Sequence, residues 1–153
     1  MVTWYEFALW VHLFAAVVWV GGGIALQLYA LRILRADDPV RLAGFAKDTE
    51  WIGTRVFMPS SILVLAFGFV LVAEGDWGYP FWVVFGLAVL GLSAVTGMGF
   101  FGPESGRIGK LVEAHGVEHP EVQARIKRIL KLSRIELALL VAVVFDMVIQ
   151  PFD

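Results

Sequence analysis

The 153-residue chain contains no cysteine. Disulfides, thiolate metal sites and iron–sulfur clusters are thereby excluded. Charge is scarce too: Asp, Glu, Lys and Arg make up 17% of residues against 59% hydrophobic, and the mean hydropathy is +0.77. A soluble domain runs nearer a quarter charged and under half apolar, so an ordinary soluble domain is excluded. The start, Met1-Val2-Thr3-Trp4-Tyr5-Glu6-Phe7, has no basic residue ahead of its apolar run. That run is also too long for the core of a signal peptide, so the first segment is expected to stay as a membrane helix. No nucleotide-binding loop, zinc-protease motif or serine-hydrolase elbow occurs in the chain.

What is present is apolar length. A helix needs about 20 apolar residues to cross the hydrocarbon core of a bilayer. Four stretches predict spans: about 4–34, 52–73, 80–101 and 135–151, the last short but uninterrupted. The expectation is an all-α, transmembrane four-helix bundle forming one integral membrane domain over 1–153. Helices two and three are joined by Glu74-Gly75-Asp76-Trp77-Gly78-Tyr79, a tight turn that predicts an antiparallel hairpin. Asp37-Asp38-Pro39 marks the turn between helices one and two. The longest connection, Gly102 to Arg134, contains Val122, Ile126, Ile129 and Leu130 at helical spacing with Arg125, Lys127, Arg128 and Lys131 at other positions. It predicts an amphipathic cytoplasmic helix between helices three and four, lying on the membrane surface.

Basic residues concentrate in cytoplasmic loops. All 12 Lys and Arg fall on one side: Arg32, Arg35, Arg41, Lys47 and Arg55 around the first connection, and Arg107, Lys110, Arg125, Lys127, Arg128, Lys131 and Arg134 in the long one. The other side has Glu6, Glu74, Asp76 and Asp153 with no base. This pattern predicts an inner (plasma) membrane protein, N-out/C-out. The partners expected are the lipid bilayer, anionic lipids at the cytoplasmic basic loops, and a homo-oligomer or larger membrane complex. Nucleic acid is not expected, because acids share the basic side and no aromatic binding platform accompanies it.

Polar residues inside a span are costly and are functional candidates for that reason. His12 is the one histidine in a span, ~12 Å below the outer end of helix one at 1.5 Å per residue. Asp146 falls in the outer half of helix four and needs a partner there, for which His12 is the candidate. Ala8, Ala15 and Ala16 lie one turn from His12 and Trp19 two turns away. Small residues beside a histidine leave room for a flat ligand, and they also let helices pack closely. Three roles fit His12: haem ligation through Nε2, copper binding or proton transfer, and an interhelical hydrogen bond. Pro59 is expected to bend helix two beside Ser60 and Ser61, and Arg55 to pair with Glu50 or Glu136. His115 and His119 are four apart, but Gly116 and Pro120 favour a solvated loop there.

Helix one reads WVHLFAAVVWVGG, with His12, Trp19 and Gly21, and helix two opens EWIGTRVFMP, with Arg55, Met58 and Pro59, and continues to Gly68. Most of the chain resembles the superfamily of four-helix bacterial membrane proteins that includes HemJ and the CopD domain, and within it an uncharacterised integral membrane family. The resemblance implies a bundle that binds haem b or a related tetrapyrrole through His12 as iron ligand, with Trp19 at the cofactor. As a polar residue within a span, Asp146 is expected as a second-layer partner at the same cofactor site. The resemblance also implies an oxidase activity like that of HemJ. The helix-three lysine of HemJ has no counterpart here; Gly86 stands near its place. The other function that the resemblance implies is a small CopD-like transporter or a structural subunit without a cofactor. Met58, Met98 and Met147 are the sulfur side chains within the spans.

Overall fold

The computed structural model describes residues 2–76 and 78–150. They form four helices: α1 (Trp4–Ala36), α2 (Pro39–Gly75), α3 (Phe81–His115) and α4 (Pro120–Ile149). Each boundary has a local cause. Thr3 caps α1 reciprocally: its Oγ1 accepts from the Glu6 N–H at 3.2 Å, and Glu6 Oε2 accepts from the Thr3 N–H at 2.8 Å. Asp37, at φ 47°, ends α1, and Asp38 accepts from the Val40 and Arg41 N–H groups to start α2 with Pro39 in its first turn. Gly116, at φ 83°, ends α3 in a conformation that suits glycine, and His119 caps α4 ahead of Pro120. Trp77, in the expected turn between α2 and α3, lies outside the described residues, as does the expected end of the fourth span at Pro151.

α1, α2 and α3 are long and apolar enough to cross a membrane. In α4 the apolar run begins only at Ile135, because the first half carries Arg125, Lys127, Arg128, Lys131 and Arg134. The bundle therefore has an apolar half and a basic half.

The basic half corrects the sequence reading of the connections. Most of the long connection is helix: α3 continues to His115, and α4 starts at Pro120. The amphipathic stretch is the first half of α4 itself, and its apolar face is buried in protein. Val122, Ile126 and Leu130 are at most 4% exposed, packed with Ala30 and Ile33 of α1, Leu42 and Phe45 of α2, and Ile108 of α3. This core is built like that of a water-soluble bundle, with the charged side chains outside. The apolar half is the reverse. Trp10, Val95, Phe145 and Val148 are 60–75% exposed, which is tolerable only where lipid covers them.

Two prolines explain two irregular turns. A proline clashes with the carbonyl four residues back and offers it no N–H. Pro59 follows a π-helical turn at Gly53–Phe57 that contains Arg55, and Pro103 follows one at Gly97–Phe101 that contains Gly99. The widened turn absorbs the clash in each case. Ser60 and Ser61 then donate to the Val56 and Met58 carbonyls, both at 2.8 Å. A third π turn, Val17–Gly21, has no proline after it but runs into Gly22 and Gly23. These glycines admit close neighbours: a Cβ on Gly22 would meet the Phe57 ring at 2.8 Å, and one on Gly23 would meet Leu137 at 3.0 Å.

In the apolar half the helices pair as α1 with α2 and α3 with α4. The α2–α3 connection is short, yet those helices pack mainly on other partners. Trp19 and Val20 of α1 lie against Val89, Leu140 and Val143 and so join the two pairs.

Candidate functional site in the apolar half

His12 lies in the seam between α1 and α2. Its Nδ1 is 2.9 Å from the Val64 carbonyl oxygen. A carbonyl only accepts, so Nδ1–H donates and, in the neutral ring, Nε2 keeps its lone pair. The approach depends on Gly68, one turn further along α2. A Cβ at Gly68 would lie 3.2 Å from His12 Cε1 and 3.4 Å from Nδ1. Ala8 and Ala15, on either side of His12, are 0% and 2% exposed. The small residues of helix one thus serve close packing around the imidazole.

Asp146 lies in the other seam, between α3 and α4. It is 5% exposed, and its Oδ2 has no hydrogen-bond partner among the described residues. The expected His12–Asp146 pair is not formed. The reason is the pairing of helices: the N-terminal part of α1 packs on α2, while α4 packs on α3 through Gly86, Val89, Val143 and Met147. Trp19 is half-buried between the pairs. Further along the α3–α4 seam, Glu136 lies near buried Ser93.

Other sequence candidates find different partners from those expected. The Arg55 guanidinium lies over the Trp51 ring at 5.7 Å and makes no ion pair among the described residues. His115 and His119 stack with ring centroids 4.9 Å apart, but His119 Nδ1 accepts from the Glu121 N–H. No group of three or more metal-ligating residues occurs among the described residues.

Sequence reasoning missed two features. The first is the Val64–Gly68 notch, whose only signal was a glycine within an apolar run. The second is Glu104, 3% exposed in the basic half, which accepts from Arg125 at 2.7 Å and from Arg107 at 3.4 Å. Burial alone would raise its pKa, but the hydrogen bond and charge of Arg125, with Arg107, outweigh it and hold the carboxyl below the usual glutamate value. Arg125 stands 21 residues away in sequence, on the next helix, so spacing gave no hint.

His12 has the donor chemistry of a haem ligand, since an Nδ1–H fixed on a carbonyl directs Nε2 to a metal. The α1–α2 seam has no room for a macrocycle, because the ring lies against the Gly68 backbone between two buried alanines. Met58 and Met98 are exposed, and the Met147 methyl packs on Gly86. Comparison with family models, curated proteins and solved structures finds no match at all. The HemJ/CopD resemblance therefore stands on the quoted residues alone.

Proposed function

We propose that this multi-pass membrane protein is a small proton transporter whose proton path passes through the Asp146 carboxyl. The observation that carries the reading is the buried Oδ2, which has no partner among the described residues. The other fully buried acid among the described residues, Glu104, is held by two arginines, as a structural acid needs to be. An ionisable group left open inside a membrane span marks an ion path. The donor set selects the ion. Hard metal cations take several oxygen ligands, whereas a proton needs one. In this reading α4 is a fourth span, both termini lie outside the cytoplasm, and the basic half faces inward.

Proteoliposomes with an internal pH dye test it under an imposed pH gradient with charge compensation. The wild type dissipates the gradient faster than empty liposomes, and Asp146→Asn returns the rate to background. Equal rates for both proteins would refute the proposal and leave Asp146 a structural residue.

A tetrapyrrole on His12 is a second reading, favoured by the Nδ1–H bond to Val64. It requires the α1–α2 seam to open. The protein purified after expression with ample haem then shows a Soret band that His12→Ala abolishes. A colourless protein would end that reading.

A further inference from the structure

We infer that the α1–α4 seam, at the boundary between the basic and apolar halves, is a binding site for an anionic phospholipid. This goes beyond the proton reading and does not depend on Asp146. Two contacts fix the register of the antiparallel pair. Gln27 donates to Ser133 Oγ at 2.7 Å, and Lys127 Nζ reaches Asp37 Oδ1 at 4.0 Å. Between these points α1 carries Arg32 and Arg35 and α4 carries Lys131, and just past Ser133 the Arg134 Nε–H donates to Gln27 Oε1 at 3.5 Å; all four cations are on the exposed surface. Asp37 is 92% exposed and contacts Lys127 alone among these cations, so it leaves the positive charge of the seam uncompensated.

The same helix faces continue as apolar surface. At about 100° per residue, Lys127, Lys131 and Arg134 fall within an arc of about 60°. Ala138, Val141, Phe145 and Ile149 extend that stripe, and the last three are 44%, 65% and 56% exposed. On α1, Arg35 shares its face with Leu28 and Ile24, which are 64% and 42% exposed. Cations followed along one seam by exposed aliphatic surface match one occupant: a phosphate headgroup with acyl chains attached. Free phosphate would use only the first part, and a nucleic acid would have nothing to place on the second.

The test is binding of fluorescent phosphatidylglycerol to the full chain in mild detergent, with phosphatidylcholine as the neutral comparison. Each cation near a lipid phosphate contributes about fivefold in affinity, so Arg35→Gln/Lys131→Gln/Arg134→Gln together weaken binding about hundredfold. Arg41→Gln/Lys47→Gln/Lys110→Gln removes the same charge elsewhere in the basic half and is expected to bind as the wild type does. Circular dichroism checks that both triple variants are folded, and each single substitution in the seam should still cost about fivefold. The inference is overturned if phosphatidylcholine binds as well, if the second triple variant loses as much, or if glycerol phosphate displaces the lipid at equal concentration.

Discussion

Replacing Gly68 by alanine adds one methyl group opposite His12, 3.2 Å from Cε1 and 3.4 Å from Nδ1. Ordinary carbon contacts begin at about 3.5 Å, so the imidazole has to retreat by a few tenths of an ångström. Flanking Ala8 and Ala15 are buried, and the ring is held on Val64, so the retreat strains the 2.9 Å hydrogen bond. Losing a net hydrogen bond costs about 1 kcal/mol, and overpacking adds about 1–2 kcal/mol. Against this, alanine improves helix propensity by up to about 1 kcal/mol on the aqueous scale. The expected result is a net destabilisation of about 1–2 kcal/mol.

The sign should reverse once the ring is gone. In a His12→Ala background the new methyl meets empty space, and the propensity gain of up to about 1 kcal/mol remains. A double-mutant cycle, read by denaturant unfolding in detergent micelles with helical circular dichroism as the signal, should therefore give a coupling of about 2 kcal/mol. A coupling below about 0.5 kcal/mol, the level expected of independent sites, would refute the notch as the basis of His12 placement.

Gly86→Ala offers a contrast: the added methyl meets the terminal methyl of Met147, a flexible side chain that can turn away, so its cost should stay below about 1 kcal/mol in the same unfolding assay. Gln27→Leu removes the interhelical hydrogen bond to Ser133 and should cost about 0.6 kcal/mol, at most about 1.7. The Glu104 carboxyl is held below the usual glutamate value, so its stabilising contribution is complete above pH ~4.5 and fades as the pH falls through the lower folded-state value. Thermal melts of Glu104→Gln against the wild type should accordingly differ most at neutral pH and converge in acid; a gap that does not change with pH would refute the assignment.

The apolar runs of α1, α2 and α3 were legible because lipid exposure imposes one strong constraint, about 20 apolar residues in a row. The extent of the helices was not. α1 ends within two residues of its expected span, but α2 and α3 run 37 and 35 residues, well past the apolar stretches. Once past them, hydropathy falls to that of a soluble amphipathic helix, and a polar helix reads like a loop. The Val122, Ile126, Leu130 spacing was seen, but periodicity cannot say whether the apolar face meets lipid headgroups or three other helices. His12 and Asp146 stood out as residues because polar groups in spans are rare. Their partners did not, because helix neighbours are set by packing of small residues such as Ala8, Ala15 and Gly86.

The contrast between Glu104 and Asp146 connects the two halves of the molecule. Both acids are almost completely buried, at 3% and 5% exposure. Glu104 sits where the sequence is rich in arginine, and Arg125 and Arg107 close around it, so its burial fastens α3 to α4. Asp146 sits on the same helix pair but in the half that contains no Lys or Arg, and its Oδ2 has no partner among the described residues. A fold selected only for stability would replace Asp146 with leucine, since an unpartnered buried polar atom costs about 1–3 kcal/mol. Asp146→Leu is therefore expected to raise the unfolding midpoint, and in the transport reading the same substitution abolishes proton flux. Gain of stability together with loss of flux is the signature of a group retained for function, whereas destabilisation by leucine would mean that Asp146 has a structural partner.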